Sequence, residues 1–364
     1  MKNRTTHTNV LYRSALSIMA AGLLGLSLVG CGQKDASFDL LAESTSFNQS
    51  AAEVNGKIDI LWVIDNSGSM ATSQQAVADN FSRFIEKFQA NGFDFQIAVT
   101  TSEAYKDVFN PSLLKSRYST GTYTNGLGAT ATAPAILTPT TPDLELAFKA
   151  NILRGINGSG DERAFQSLKA SLANTDNQAL GFPRADAHLS VIIVSDEDDF
   201  SWDGTGSLDN MYSDPRLHTA QSYVDFLDGI TSSTAGNRHH SVNSIAIFDE
   251  TCRTGLGGGV RKIADRYRAL TELTGGILGS LCDDFGTTLS RISSRTIEPS
   301  TRFYLDRAPA TGTLRVYVNG SEVPADSTNG YSYDATNNSI SFYGTAVPAA
   351  GAQISVTYDP TGLR

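Results

Sequence analysis

The stretch Lys57 to Met70, KIDILWVIDNSGSM, leaves this chain few folding options. Ile58, Ile60, Leu61, Trp62, Val63 and Ile64 form a nearly continuous apolar run, which suits a parallel strand buried on both faces. Polarity then switches abruptly to Asp65, Asn66, Ser67, Gly68 and Ser69. One carboxylate and two hydroxyls at alternate positions, with a flexible Gly between them, let three oxygens converge on one point. Hard divalent cations take such ligands, and Mg2+ takes them in an octahedron. Downstream, Val77, Phe81, Phe84, Ile85 and Phe88 recur at the spacing of one helical face. The polar loop is thus predicted at the carboxyl end of a central strand, opening a helix, where open α/β sheets bind ligands. A polar strand-to-helix turn with Ser67 or Ser69 as N-cap is the simpler alternative.

Asp65-x-Ser67-x-Ser69, with that strand before it and that helix after it, resembles the metal-ion-dependent adhesion site (MIDAS) of von Willebrand factor type A (vWA) domains. The resemblance covers about residues 57–296 and implies a doubly wound, mostly parallel α/β sheet. It also implies two further metal-binding loops. The second of these offers a Thr before a helix, and the position that matches is Ser159, in Gly155 to Glu162 ahead of a helix predicted over Arg163–Leu172. Ser supplies the same hydroxyl but departs from the usual pattern. Asp161 or Glu162 could reach the metal instead, or Ser159 could be a helix N-cap. The third loop follows the apolar run Leu189–Val194, at Ser195-Asp196-Glu197-Asp198-Asp199, with Asp196 as the acidic residue. Four successive carboxylates raise one another's pKa, which a cation relieves; a solvated acidic loop is the bland reading. Glu197, Asp198 and Asp199 could shape the field or bind Ca2+ separately. The implied set is Asp65, Ser67, Ser69, Ser159 and Asp196, holding Mg2+, Mn2+ or Ca2+, with a partner's carboxylate completing the coordination.

The first thirty residues read as a secretory signal: Lys2, Arg4 and Arg13 precede the apolar stretch Leu16–Val29. Leu28-Val29-Gly30-Cys31 resembles a bacterial lipoprotein signal, in which Cys31 becomes the lipid-modified N-terminus. Gly32 after it, rather than Asp, implies the outer membrane, on either its periplasmic or its surface face. Loss of residues 1–30 leaves 25 basic against 38 acidic residues, a net charge of −13. Such a surface repels nucleic acid. Cys252 and Cys282 remain, an even pair in an oxidising compartment, expected as a disulfide, with two free buried thiols as the alternative. Two ligands alone make a poor zinc site.

Residues 31–56 read as a flexible tether and 57–296 as the vWA-like domain. Within that domain Phe93–Thr101 reads as a second strand, and Ala135-Ile136-Leu137 as a weak strand candidate in the Gly- and Pro-rich stretch 102–142, a binding loop or a surface insertion. Helices are expected over Leu144–Leu153, Tyr223–Ile230, Arg261–Leu273 and Asp283–Ser294, and strands over Val242–Phe248 and Ile277–Cys282. Trp202 and Tyr212 could contact a partner or pack over the sheet edge. Residues 297–364 alternate at period two, with hairpin-type turns at Asn319-Gly320 and Asn329-Gly330, and read as a small antiparallel, sandwich-like β domain.

No Gly-x-Ser-x-Gly elbow, HExxH, P-loop or dinucleotide fingerprint occurs, and His188, His218, His239 and His240 stand outside any catalytic pattern, so an enzyme is not expected. The expected function is a lipid-anchored, divalent-cation-dependent binding or adhesion module for a protein or surface ligand. The alternative is a metal-independent envelope scaffold.

Overall fold

The computed structural model describes residues 47–235 and 237–361. The signal segment, Cys31 and the tether up to residue 46 lie outside the described residues. The chain starts in strand β1 (Phe47–Glu53), followed by β2 (Lys57–Ile64). Every residue of β2 from Ile58 to Ile64 is buried, as the apolar run requires. Helices α1 (Ala71–Asp79) and α2 (Phe81–Ala90) follow, and β3 (Asp94–Thr101) returns beside β2 in parallel. The helix expected as one piece is broken at Asn80, whose side chain donates to the Ala76 carbonyl at 2.9 Å. Val77, Phe81, Phe84, Ile85 and Phe88 nevertheless all face the core.

The stretch 102–142 carries the short helix α3 (Lys106–Phe109) and the hairpin β4 (Thr122–Thr124) to β5 (Thr130–Thr132). Of the weak strand candidate only Leu137 pairs, in an antiparallel bridge with Ile97 on the edge of β3. Helices α4 (Leu144–Ile152), α5 (Ala164–Ala173) and α6 (Thr175–Gln178) lead into β6 (His188–Val194). Then come α7 (Ala220–Ile230), β7 (His240–Ala246), α8 (Glu250–Gly255), α9 (Asp265–Thr274), β8 (Leu278–Ser280) and α10 (Phe285–Thr301). The central sheet has the order β3-β2-β6-β7-β8 and is parallel throughout. The expected class, a doubly wound α/β sheet with a small antiparallel β part, is the class found.

Period-two alternation along β2 divides the core. Ile58, Ile60, Trp62 and Ile64 face one layer with Phe81, Phe84, Phe148 and Leu289, and Trp62 meets Phe84 and Phe148 edge-on at 5.4 and 5.5 Å. Leu61 and Val63 face the other layer, with Phe165, Tyr223 and Tyr267. Cys252 and Cys282 form a disulfide, which ties α8 to the end of β8.

The last part holds β9 (Phe303–Tyr304), β10 (Arg315–Val318), β11 (Ser321–Val323), β12 (Tyr331–Asp334), β13 (Ser339–Phe342) and β14 (Gln353–Tyr358). Two sheets, β1-β14-β10-β11 and β12-β13-β9, share a core of Val316, Ile340, Ile354, Val356 and their neighbours. Two expectations are corrected here. Residues 47–53 are not tether but the edge strand of this unit, paired with β14. The boundary expected at 296/297 falls inside α10, which runs to Thr301. Asn319 and Gly320 both take positive φ, as a two-residue hairpin needs, whereas Asn329-Gly330 belongs to a longer loop between β11 and β12.

Candidate metal centre

Counted within the sheet, the parallel strands run in the order 2-1-3-4-5, so strand order reverses between β2 and β6. Crevices outside the carboxyl ends of such strands are where doubly wound sheets bind ligands. Asp65 directly follows β2 and Asp196 lies two residues beyond β6, so the two candidate acids sit at this switch point.

The loop after β2 is fixed by its own polar atoms. Asp65 Oδ1 accepts from the Ser67 amide at 2.7 Å, and Oδ2 accepts from the Ser195 hydroxyl at 2.7 Å. Gln74, one turn into α1, donates to the Asp65 carbonyl at 2.9 Å. The Ser69 hydroxyl donates to Asp196 Oδ1 at 2.9 Å and lies 3.5 Å from the Ser67 hydroxyl. Adjacent oxygens on a Mg2+ octahedron stand about 3.0 Å apart, given metal–oxygen distances of about 2.1 Å. The Ser67, Ser69 and Asp196 oxygens are thus already close to the spacing that a small hard cation takes.

The second loop is held against the first by a close backbone approach. The Gly158 amide donates to the Asn66 carbonyl at 2.8 Å, and a Cβ on Gly158 would stand 2.6 Å from that oxygen. Only Gly fits there. Ser159, the expected hydroxyl ligand, turns elsewhere. Its amide donates to Glu103 Oε1 at 3.2 Å, and its buried hydroxyl makes no well-formed hydrogen bond, lying beside the Tyr105 phenol that donates to Asp161 at 3.0 Å. Glu162 is the buried acid of this loop, and it feels the charges of Asp65, Glu197 and Asp196. It is 1% exposed, and neither carboxylate oxygen has a well-formed hydrogen bond among the described residues. Burial, then the Asp65 charge, pushes its pKa well above the usual carboxylate range, tempered by the nearby Ser102 hydroxyl.

The four acids of the third loop separate in role. Asp196 pairs with Arg261 Nε at 3.0 Å through Oδ2. Glu197 pairs with Lys262, yet burial raises it to about 7. Asp198 accepts from the Arg266 amide at 3.1 Å, in the first turn of α9, and Asp199 accepts from the Phe165 amide at 2.9 Å, in the first turn of α5. These are the unpaired donors of helix N-termini. Their oxygens serve helix capping. Asp65 itself is raised to about 6, by burial first and in part by the Asp196 charge.

Among the described residues, no three carboxylate, imidazole or thiolate groups converge as a ligand cluster. The set is mixed, hydroxyls with carboxylates, and it suits a hard cation rather than zinc in a soft cage. Its fit to a cation rests on the buried Glu162 carboxyl, which has no well-formed hydrogen bond among the described residues and would be relieved of its burial cost as a metal ligand.

Sequence reading missed Arg163, which is fully buried. Its guanidinium donates to the carbonyls of Trp202 at 3.1 Å and Gly204 at 2.9 Å, and also to that of Gly206, and so pins the loop after β6. Trp202 is held between Arg163 and Arg216, at 5.4 and 4.9 Å, and packs on the small cluster of Phe200, Leu208 and Leu217. That is packing rather than a free recognition surface. The Arg261 and Lys262 partners were missed too, since a pairing across the fold leaves no local pattern.

No protein-family model and no curated protein matches this chain. Solved structures similar to it include proximal thread matrix protein 1 from the mussel byssus, at 14% identity over 71% of this chain and 51% of that one, with a TM-score of 0.37. The pilus adhesin SpaC from Lactobacillus rhamnosus GG matches at 12% identity over 86% and 40%, TM-score 0.35. The pilus adhesin RrgA from Streptococcus pneumoniae matches at 10% identity over 86% and 58%, TM-score 0.29. A further structure of the mussel protein has a zinc-occupied MIDAS motif. This chain spans about half the length of the mussel protein and less of SpaC.

Proposed function

We propose that this protein is a divalent-cation-dependent binding module of adhesive type, tethered to the outer membrane through lipid on Cys31. Asp65, Ser67, Ser69 and Asp196 would hold the cation, with Glu162 or Ser159 as the contribution of the second loop. The bound cation would supply a hard positive charge with an open position for a carboxylate of a protein or surface ligand. This chain's own residues do the rest. Gly158 keeps two loops in register, Asp198 and Asp199 fix the third, and Arg163 pins the segment Trp202 to Gly206 beyond it. The observation that carries the reading is the chain of close hydroxyl and carboxylate oxygens at the switch point, beside the buried and unmatched Glu162.

The second reading is a metal-independent scaffold, and one observation favours it. Arg261 on Asp196 and Lys262 on Glu197 give two of the acids cations from the protein itself. Calorimetric titration of the purified protein with Mg2+, Mn2+ and Ca2+, carried to millimolar concentration, separates the two. The binding module shows saturable uptake that Asp65→Ala and Ser67→Ala both abolish. Comparing Glu162→Gln with Ser159→Ala then decides which second-loop group takes part. A parent protein that takes up none of the three cations is the scaffold.

A further inference from the structure

The stretch 102–142 folds back beside the candidate metal loop and helps to enclose a cavity of about 640 Å³. That volume lies within the range of small-molecule and side-chain pockets. Asn66 and Thr101, at the ends of β2 and β3, form its inner wall, so it adjoins the switch point. Lys115, Arg117 and Arg154 line it against a single carboxylate, Asp176. The whole chain carries a net charge of −10, so this wall reverses the prevailing sign.

The three cations differ in one respect. Arg117 is paired with Asp176, and Lys115 with Glu103 Oε2 at 3.2 Å. Arg154 is half-buried, its Nε is shut off from solvent, and its guanidinium has no hydrogen bond or ion pair among the described residues. A planar fork of donors held without an acceptor is a poor structural element and a good receptor for a carboxylate. The rim is apolar: Leu114 and Leu180 are each about half exposed and line the same cavity. A sugar acid or an inorganic anion has no use for such a rim, whereas an acidic side chain flanked by aliphatic ones does.

We propose that this cavity is an anion subsite in which Arg154 takes a carboxylate of a peptide segment alternating acidic and aliphatic residues, independently of any cation at Asp65. The peptide class rests on the binding-module reading above; the subsite itself does not. The test uses the purified protein in EDTA with a fluorescein-labelled peptide of alternating leucine and glutamate. A leucine–glutamine peptide and free glutarate serve as comparisons. The acidic peptide should bind, its affinity should fall with added salt, and Arg154→Gln should weaken it roughly 10- to 100-fold. Arg154→Lys should fall between, and replacing EDTA with Mg2+ should leave binding unchanged. Because Arg154 has no partner to lose among the described residues, Arg154→Gln should not lower the melting temperature, and melting of both Arg154 variants checks this. Equal binding of the leucine–glutamine peptide, or glutarate binding as tight as the peptide, overturns the proposal. Binding that appears only with Mg2+ and is lost in Asp65→Ala but kept in Arg154→Gln also overturns it, while leaving the metal centre standing.

Discussion

At the scale of single residues, the informative groups are polar ones buried without a match. Glu162 and Arg154 have been read as waiting for a ligand. His188 has a different consequence. It opens β6, is 5% exposed, and among the described residues its ring has only the Ser241 hydroxyl, at 3.3 Å, as hydrogen-bond partner. Burial, with the positive fields of His240, His239 and Arg295 behind it, pushes its pKa from 6.5 down to about 3. The folded state therefore refuses a proton that the unfolded chain accepts. Above pH 6.5 the two states are alike in this respect; as pH falls towards 3, stability is lost progressively. The loss over the whole window is on the order of 5 kcal/mol, taken from the size of the shift. Urea unfolding of the parent and of His188→Gln at pH 7 and pH 4.5 checks this, and the variant should lose less stability on acidification. Equal losses would mean that His188 is already solvated or protonated in the fold. None of this was legible in the sequence, where His188 is simply a histidine before an apolar run. That Asp65, Ser67 and Ser69 come together was legible because strand, polar loop and helix are contiguous. Which member of Ser159-Gly160-Asp161-Glu162 turns inward was not, because side-chain direction in a loop is set by contacts such as Gly158 on Asn66.

At the scale of elements, the long apolar runs read true and the short polar ones did not. β2 and β6 declare themselves by composition. The helix α8 spans only Glu250–Gly255 and gains its place from the Asp249 side chain, which accepts from the Cys252 amide at 2.8 Å. That cap places Cys252 against Cys282, and the disulfide closes a loop of sequence separation 30. Chain-entropy reasoning assigns such a loop about 3–4 kcal/mol. Replacing Cys252 and Cys282 together with Ala should lower the unfolding free energy by about that much in denaturant titration. The cation uptake proposed above should be unaffected, because the bond joins the β7–β8 edge and not the β2–β6 switch point. An unchanged denaturation midpoint would show that the bond constrains nothing that the fold does not already hold. β1 was missed for a further reason: Phe47–Glu53 has no period-two pattern, and its strand character comes from pairing with β14, at the far end of the chain.

At the scale of the whole described chain, that pairing changes how the parts relate. The α/β part is inserted into the β unit, which contributes one strand before it and the rest after it. Both crossings must then be close-packed, and the first can be located. Gly56, between β1 and β2, accepts from the Asp94 amide at 2.8 Å, while the Ala350 amide donates to the Asn91 carbonyl at 3.0 Å. A Cβ on Gly56 would stand 2.3 Å from the Cβ of Ala350, closer than two carbons can sit. Gly56→Ala should therefore force the β unit and the sheet apart at this point, at a cost of about 1–3 kcal/mol, as for other overpacked sites. Ala350→Gly removes the opposing carbon, so the double variant should recover most of the loss, a coupling that a double-mutant cycle measures directly. Thermal melting of the two single variants and the double variant makes the comparison. If Gly56→Ala melts with the parent, the crossing is loose and the β unit is an appendage. If it is destabilised and the double variant restores it, the β unit and the α/β part are joined by a packed crossing.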